Sequence, residues 1–216
     1  VRVRPDEDRP TTWREYLVGG SALAGALVVN QFAGRLADAN GENAGTSPDL
    51  LLAWLPHWDT SVLFIYGFTF LLFWLFYAGF RYERRRAPRI LWAYAVLVVV
   101  RSFFIILTPM HTPPDHAVVA GDPLFAIFGR FFTFKHDLFF SSHTATPFLA
   151  FLLFRGRWVS LSFLAISLLM AATVLIGRFH YSIDVFAAFF ITYAVHKLEA
   201  HKIQHVYELL TGIRRD

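Results

Sequence analysis

The stretch RRRAPRILWAYAVLVVVRSFFIILTP occupies residues 84–109. It opens on three arginines and continues as an apolar run bracketed by Pro88 and Pro109, where helix-edge prolines belong. The run is close to the ~20 residues that carry a helix across a bilayer. Five further runs of this kind lie near residues 14–36, 59–80, 138–154, 157–178 and 182–200. The whole chain is 56% hydrophobic and 18% aromatic, with mean hydropathy +0.45, a composition that excludes an ordinary soluble domain. The expected fold is all-α: a polytopic membrane protein built as a six-transmembrane-helix bundle. Residues 1–13 form an N-terminal segment, 14–200 the transmembrane domain and 201–216 a C-terminal tail. Thr12-x-x-Glu15 is a capping-box pattern at the first run. The polar start, Val1 to Arg14, makes that run the expected targeting signal.

Basic residues orient the bundle. Arg2, Arg4, Arg9 and Arg14 precede the first run, and Arg81, Arg84, Arg85, Arg86 and Arg89 join the second and third. Arg155 and Arg157 join the fourth and fifth; Lys197, Lys202, Arg214 and Arg215 follow the sixth. With six spans these fifteen share one side, against Arg35, Arg130, Lys135 and Arg178 on the other. Asp38, Glu42, Asp49, Asp115, Asp122 and Asp137 also fall on that second side. Both termini are therefore expected in the cytoplasm. The net charge of +4 reads as a topology signal rather than a nucleic-acid surface. With no Cys, the chain has no disulfides, thiolate nucleophiles or thiolate metal sites.

Two short motifs carry the chemistry. Ser141-Ser142-His143-Thr144 stands 37 positions before His180-Tyr181-Ser182-Ile183-Asp184, counted from His143 to His180, and each lies where an apolar run meets a loop. His143 is expected about five residues into the fourth helix, or ~8 Å from its outer end. His180 and Asp184 are four apart, hence neighbours on one helix face. A carboxylate so placed accepts the proton of one imidazole nitrogen, fixes the tautomer and stabilises positive charge as the other nitrogen attacks. His180 then suits a nucleophile that forms a phosphohistidine. His143 suits the general acid for the leaving oxygen and the general base for the acceptor hydroxyl. The same residues also read as two interfacial histidines and a helix-capping Asp. Arg101, inside the third run, costs ~2.5–3.5 kcal/mol to insert unless it faces a partner or polar cavity. It is a candidate phosphate clamp, or else the partner of an internal salt bridge. Arg178 is a second candidate cation, and Asp137 is a candidate to orient His143 or read a headgroup cation. Ser141, Ser142 and Tyr181 complete the candidate substrate-binding set. Pro147 removes the helical donor to the His143 carbonyl.

At these residues the chain resembles the sphingomyelin synthase family, which is related to the type 2 phosphatidic acid phosphatases. Asp137-Leu-Phe-Phe-Ser141-Ser142-His143-Thr144 keeps the Asp, Ser, His and Thr of the family's third motif. His180-Tyr181-Ser182-Ile183-Asp184-Val185 matches its fourth throughout. Arg85-Arg86, Arg101, Thr108 and Pro109 look like its second motif, and Pro48-Asp49 is a weaker echo of its first. The similarity covers roughly residues 48 to 200. It implies a six-helix bundle of that kind, with His143, His180 and Asp184 as a catalytic triad on the luminal or exoplasmic face. It also implies transfer of a phospho-headgroup to a lipid hydroxyl. Ser142 and His136 replace family glycines, and Val174 stands where the wider phosphatase group has an arginine six residues before the second histidine.

The expected partners are a phospholipid donor and a ceramide-like or other lipid alcohol, met within the bilayer. No cofactor is expected, since the covalent histidine route needs neither metal nor organic group. Hydrolysis on the same His/His/Asp site is the alternative, and a non-catalytic lipid-binding or transport protein the second alternative. His111, Asp115 and His116 lack a fourth metal ligand at a known spacing, so their loop reads as a lid or pocket wall. Within it, residues 123–134 are apolar and aromatic and read as interfacial.

Overall fold

In the computed structural model, described over residues 11–119, 121–126, 134–199 and 203–212, every regular element is helical. α1 spans Trp13–Gly41. Thr12 begins it, with its N–H 2.9 Å and its hydroxyl 3.0 Å from Glu15 Oε1. At 1.5 Å per residue its 29 residues reach ~43 Å, beyond the ~30 Å hydrocarbon core and past the expected end at residue 36. α2 is a short turn, Leu50–Trp54. A π turn, Leu63–Gly67, runs directly into α3, Phe68–Tyr82. A 3-10 turn of Arg84–Arg86 leads into α4, Ala87–Leu107, with Pro88 in its first turn.

α1 and α4 form the most extensive helix pair. Gly19, Ala26, Asn30, Ala33, Gly34, Ala37 and Gly41 are all buried along one stripe of α1. Small side chains let the two backbones approach, as membrane helices need when there is no hydrophobic drive between them. A Cβ at Gly19 would collide with the Pro88 carbonyl.

α5, Ser142–Leu153, α6, Arg157–Ile176, and α7, Ser182–Leu198, pack as a second group. Leu71, Phe140, Leu149, Phe163 and Ala188, each with no exposed surface, tie that group to α3. The outward faces stay apolar: Phe70, Phe73 and Phe76 on α3 are 61%, 72% and 69% exposed. Lipid-facing residues behave this way, and it is the reverse of a soluble bundle.

Among the described residues four helices are long and apolar enough to cross a membrane: Trp13–Gly41, Leu63–Tyr82, Arg84–Leu107 and Arg157–Ile176. The fourth and sixth expected spans are helical but shorter. α5 has 12 residues, or ~18 Å, and starts at Ser142 rather than 138. The reason is local. The carbonyls of Asp137 and Phe140 accept hydrogen bonds from Arg101, and Ser141 is extended at φ −60°, ψ 115°. His143 is thus the second residue of its helix, not the fifth. α7 has 17 residues before Glu199, and residues 200–202 lie outside the description.

α8, Gln204–Thr211, lies within the expected C-terminal tail. Its polar Gln204, Glu208 and Thr211 face inward, while Leu209 and Leu210 are 83% and 57% exposed. Tyr207 packs on Trp92 of α4 with ring centroids 5.6 Å apart. Most of the interfacial stretch expected at 123–134, and Arg2, Arg4, Arg9, Arg130, Lys202, Arg214 and Arg215, lie outside the described residues.

Candidate active site

The turn between α6 and α7 delivers His180. α6 ends against Gly177, where a Cβ would collide with Thr60 Oγ1. Arg178 then takes a left-handed φ of 56°. The amides of Phe179 and His180 both donate to the Val174 carbonyl, at 2.9 and 3.3 Å, which folds the reversal tightly. Asp184 sits in the first turn of α7 with no exposed surface. Its Oδ2 accepts from the Tyr181 N–H at 3.0 Å and lies 3.3 Å from His180 Nδ1. A carboxylate only accepts, so this contact puts the proton on Nδ1 and leaves Nε2 with the lone pair. The helix N-terminus also favours the negative charge.

The start of α5 is joined to this dyad through main chain. Ser141, fully buried, donates its N–H to the Asp184 carbonyl at 3.2 Å. No side chain caps α5, so the amides of Ser142, His143 and Thr144 have no intrahelical partner and form a positive helix end around His143. His180 and Arg101 are both close enough to act on His143 electrostatically. The His143 ring lies between Phe64 and Phe68, with centroids 4.0 and 4.2 Å away.

Arg101, 8% exposed, is fully engaged by protein. Its Nε donates to the Phe140 carbonyl at 3.0 Å. Nη1 reaches Asn30 Oδ1 and Asp137 Oδ2, each at 3.4 Å. Nη2 reaches the Asp137 carbonyl at 2.7 Å and Oδ2 at 3.3 Å. Five contacts match the five N–H bonds of a guanidinium, so none remains for a phosphate in this arrangement. The salt-bridge alternative describes Arg101 here, and Asp137 is turned to Arg101.

The other expected residues bring no side-chain hydrogen bond to the dyad. Arg178 pairs with Asp115 at 3.7 Å near the surface. Tyr181 is 2% exposed, packs with Leu52 and Leu138, and accepts at its hydroxyl from the Ser47 N–H at 3.3 Å. Ser142 is the partly exposed first residue of α5. His111 lies edge-on to His136 at 4.5 Å, while His136 Nδ1 and N–H meet Asp38 Oδ1 at 3.2 and 2.9 Å.

Two features escaped the sequence reading. Phe64 and Phe68 flank His143, yet a pair among 24 phenylalanines carries no signal. Asp49, quoted only as a motif echo, caps two helices. Its Oδ1 accepts from Leu51 and Leu52 N–H at 2.9 and 3.1 Å, and its Oδ2 from Ser182 N–H, at the start of α7, at 2.6 Å. Partial burial raises the Asp49 pKa, but the Ser182, Leu52 and Leu51 hydrogen bonds outweigh this and hold the carboxyl below its ordinary value.

Residues 136–202 match the family model described as PAP2 superfamily C-terminal, a stretch that includes Asp137, Ser141, His143, His180 and Asp184. No curated protein and no solved structure matches the chain. The family-model match is at the level of the superfamily, one step broader than the sphingomyelin synthase branch that the motifs resemble. Over these residues the chain is similar to the PAP2 superfamily.

Proposed function

We propose that this chain is a membrane lipid phosphotransferase resembling sphingomyelin synthase. It moves a phospho-headgroup from a glycerophospholipid to a ceramide-like or other lipid alcohol through a phosphohistidine on His180. The observation that carries the reading is the buried His180–Asp184 dyad, joined by the Ser141 amide to the helix start that bears His143.

In the first step His180 Nε2 attacks phosphorus, the bond from phosphorus to the diacylglycerol oxygen breaks, and His143 gives that oxygen its proton. In the second, the acceptor hydroxyl oxygen attacks the same phosphorus, His143 takes its proton, and the N–P bond breaks. The positive charge on His180 in the transition state is opposed by Asp184. The free amides at the start of α5 suit the phosphate oxygens. Ser141 holds the two motifs together, and Arg101 with Asp137 shapes the wall behind them.

A hydrolase on the same residues, with water as the acceptor, is the second reading, and the match to the PAP2 superfamily favours it. Against a plain phosphatase, the place of its arginine is taken by Val174, which has no exposed surface. The excess of basic residues at the end of the bundle away from the site supports an exoplasmic active site.

Purified protein in proteoliposomes, given phospholipids labelled on the headgroup phosphate with and without ceramide, tests the proposal beside His180→Ala. Label reaching ceramide only with active protein supports the transferase. Release of label as water-soluble phosphate or phospho-alcohol, whatever alcohol is offered, moves the assignment to the hydrolase. Equal turnover by His180→Ala would sink both.

A further inference from the structure

The two histidines are held by different means. His180 is fixed by a carboxylate, whereas His143 Nδ1 is buried without a hydrogen-bond partner. The Phe64 main chain offers that imidazole a hydrogen bond, although Nδ1 itself has no bonded partner. Rotation about the bond joining Cβ to the imidazole is a broad, shallow torsion. The plane of the ring then needs a further constraint besides that contact. Aromatic faces supply it. Phe64 stacks on His143 at 4.0 Å with 20° between planes, and Phe68 covers the other face at 4.2 Å and 37°. On its far side Phe64 stacks on Phe179 at 4.1 Å and 26°. Phe179, Phe64, His143 and Phe68 thus form one column, and Phe179 is the residue before His180.

The column has a fixed base. Phe64 and Phe68 project from the π turn Leu63–Gly67 and the helix start after it, and π turns recur at functional sites. Thr60 precedes that turn. Its carbonyl accepts from the Phe64 N–H at 2.9 Å and its hydroxyl donates to the Thr173 carbonyl at 2.8 Å. The Trp58 N–H donates to the Ile176 carbonyl at 3.3 Å. The start of α3 is therefore pinned to the end of α6, from which His180 emerges.

We propose that Phe64 is a positioning residue: its stacked ring sets the His143 imidazole and keys it to the Phe179–His180 turn, so that proton transfer to the leaving oxygen depends on it. This rests on the reading of His143 as general acid and His180 as nucleophile. A diacylglycerol oxygen leaves poorly unless protonated, whereas a p-nitrophenolate leaves without help. Misplacing the acid by even an ångström is enough to cost a large rate factor, about 10- to 100-fold. Loss of Phe64 should therefore be felt on lipid donors and spared on activated ones.

The test uses the full chain in proteoliposomes and reads first-turnover release of the leaving group, before the second step calls on His143 as base, from two donor pairs: phosphatidylcholine against p-nitrophenyl phosphorylcholine, and phosphatidate against p-nitrophenyl phosphate. The variants are Phe64→Leu, Phe64→Tyr, His143→Ala and His180→Ala. Phe64→Leu should lose about 10- to 100-fold on the lipid donor and little on its p-nitrophenyl partner. His143→Ala should show the same selectivity more strongly, and Phe64→Tyr should keep both rates. Equal losses by Phe64→Leu on both members of a pair would mean that Phe64 only supports folding, and no loss would mean that it does nothing; either overturns the positioning role. Turnover by His180→Ala, or none by the parent protein on either pair, would instead sink the active-site reading beneath it.

Discussion

Asp184 does two things with one oxygen, holding the Tyr181 amide and the His180 imidazole. Replacing it with Asn keeps the size and removes the charge that opposes an imidazolium. Asp184→Asn is expected to lower turnover by about 100- to 10,000-fold with the helical circular dichroism spectrum unchanged. Arg101 makes the opposite kind of prediction. Its partners Asn30, Asp137 and Phe140 lie 71, 36 and 39 positions away and all belong to the protein. Arg101→Met leaves the Asp137 carboxylate buried and unpaired, a loss of about 3–5 kcal/mol. Thermal unfolding in detergent should show it, and Asp137→Leu on the same chain should restore much of it. A phosphate clamp would instead raise KM and leave stability alone. The His180–Asp184 pairing was legible because four residues is one helical turn. The partners of Arg101 were not, because nothing in local spacing connects positions so far apart.

Between elements, close approach and capping decide the arrangement. Gly19 faces the Pro88 carbonyl where α1 meets α4, so Gly19→Leu must wedge the helices apart. It should cost about 1–3 kcal/mol, read as a lower unfolding temperature. Asp49 caps α2 and the start of α7 together, tying the 42–60 loop to the helix that carries Asp184. Because its folded pKa is lowered, its stabilisation is fully present above the unfolded value of about 3.9 and is lost as pH falls through the folded value. Asp49→Ala should therefore be less stable than the parent by about 1 kcal/mol near neutral pH. The gap should close as unfolding is followed down through the acid range. The apolar runs foretold that these helices exist. The end of α5 facing the site was misplaced, because Leu138-Phe139-Phe140 is as apolar as the helix it precedes. Only Arg101, arriving from α4, takes their neighbouring carbonyls out of helical bonding.

Across the whole molecule the site gathers at one end, from the last turns of α4 and α6 and the first of α3, α5 and α7. Glu83, Arg86, Arg155 and Arg89 occupy the other end, where Glu83 accepts from Arg86 Nη1 at 3.0 Å and from the Arg155 amide at 2.8 Å. The chain has no Cys, so one introduced thiol is unique. Ser47→Cys, on the site side, should react with a membrane-impermeant maleimide in intact cells. Arg85→Cys should react only after permeabilisation. The reverse pattern would place the site in the cytoplasm and remove the exoplasmic reading.

Composition was enough to establish an apolar helical protein, since lipid imposes length and hydrophobicity on each span independently of its neighbours. The two histidine motifs were equally readable, being local in sequence. Which groups are free to act was decided by tertiary structure alone. The engagement of every Arg101 donor, the stacking of Phe64 and Phe68 on His143, and the double cap by Asp49 all join residues distant in the chain. A side chain's availability depends on what packs against it, and that is a property of the fold.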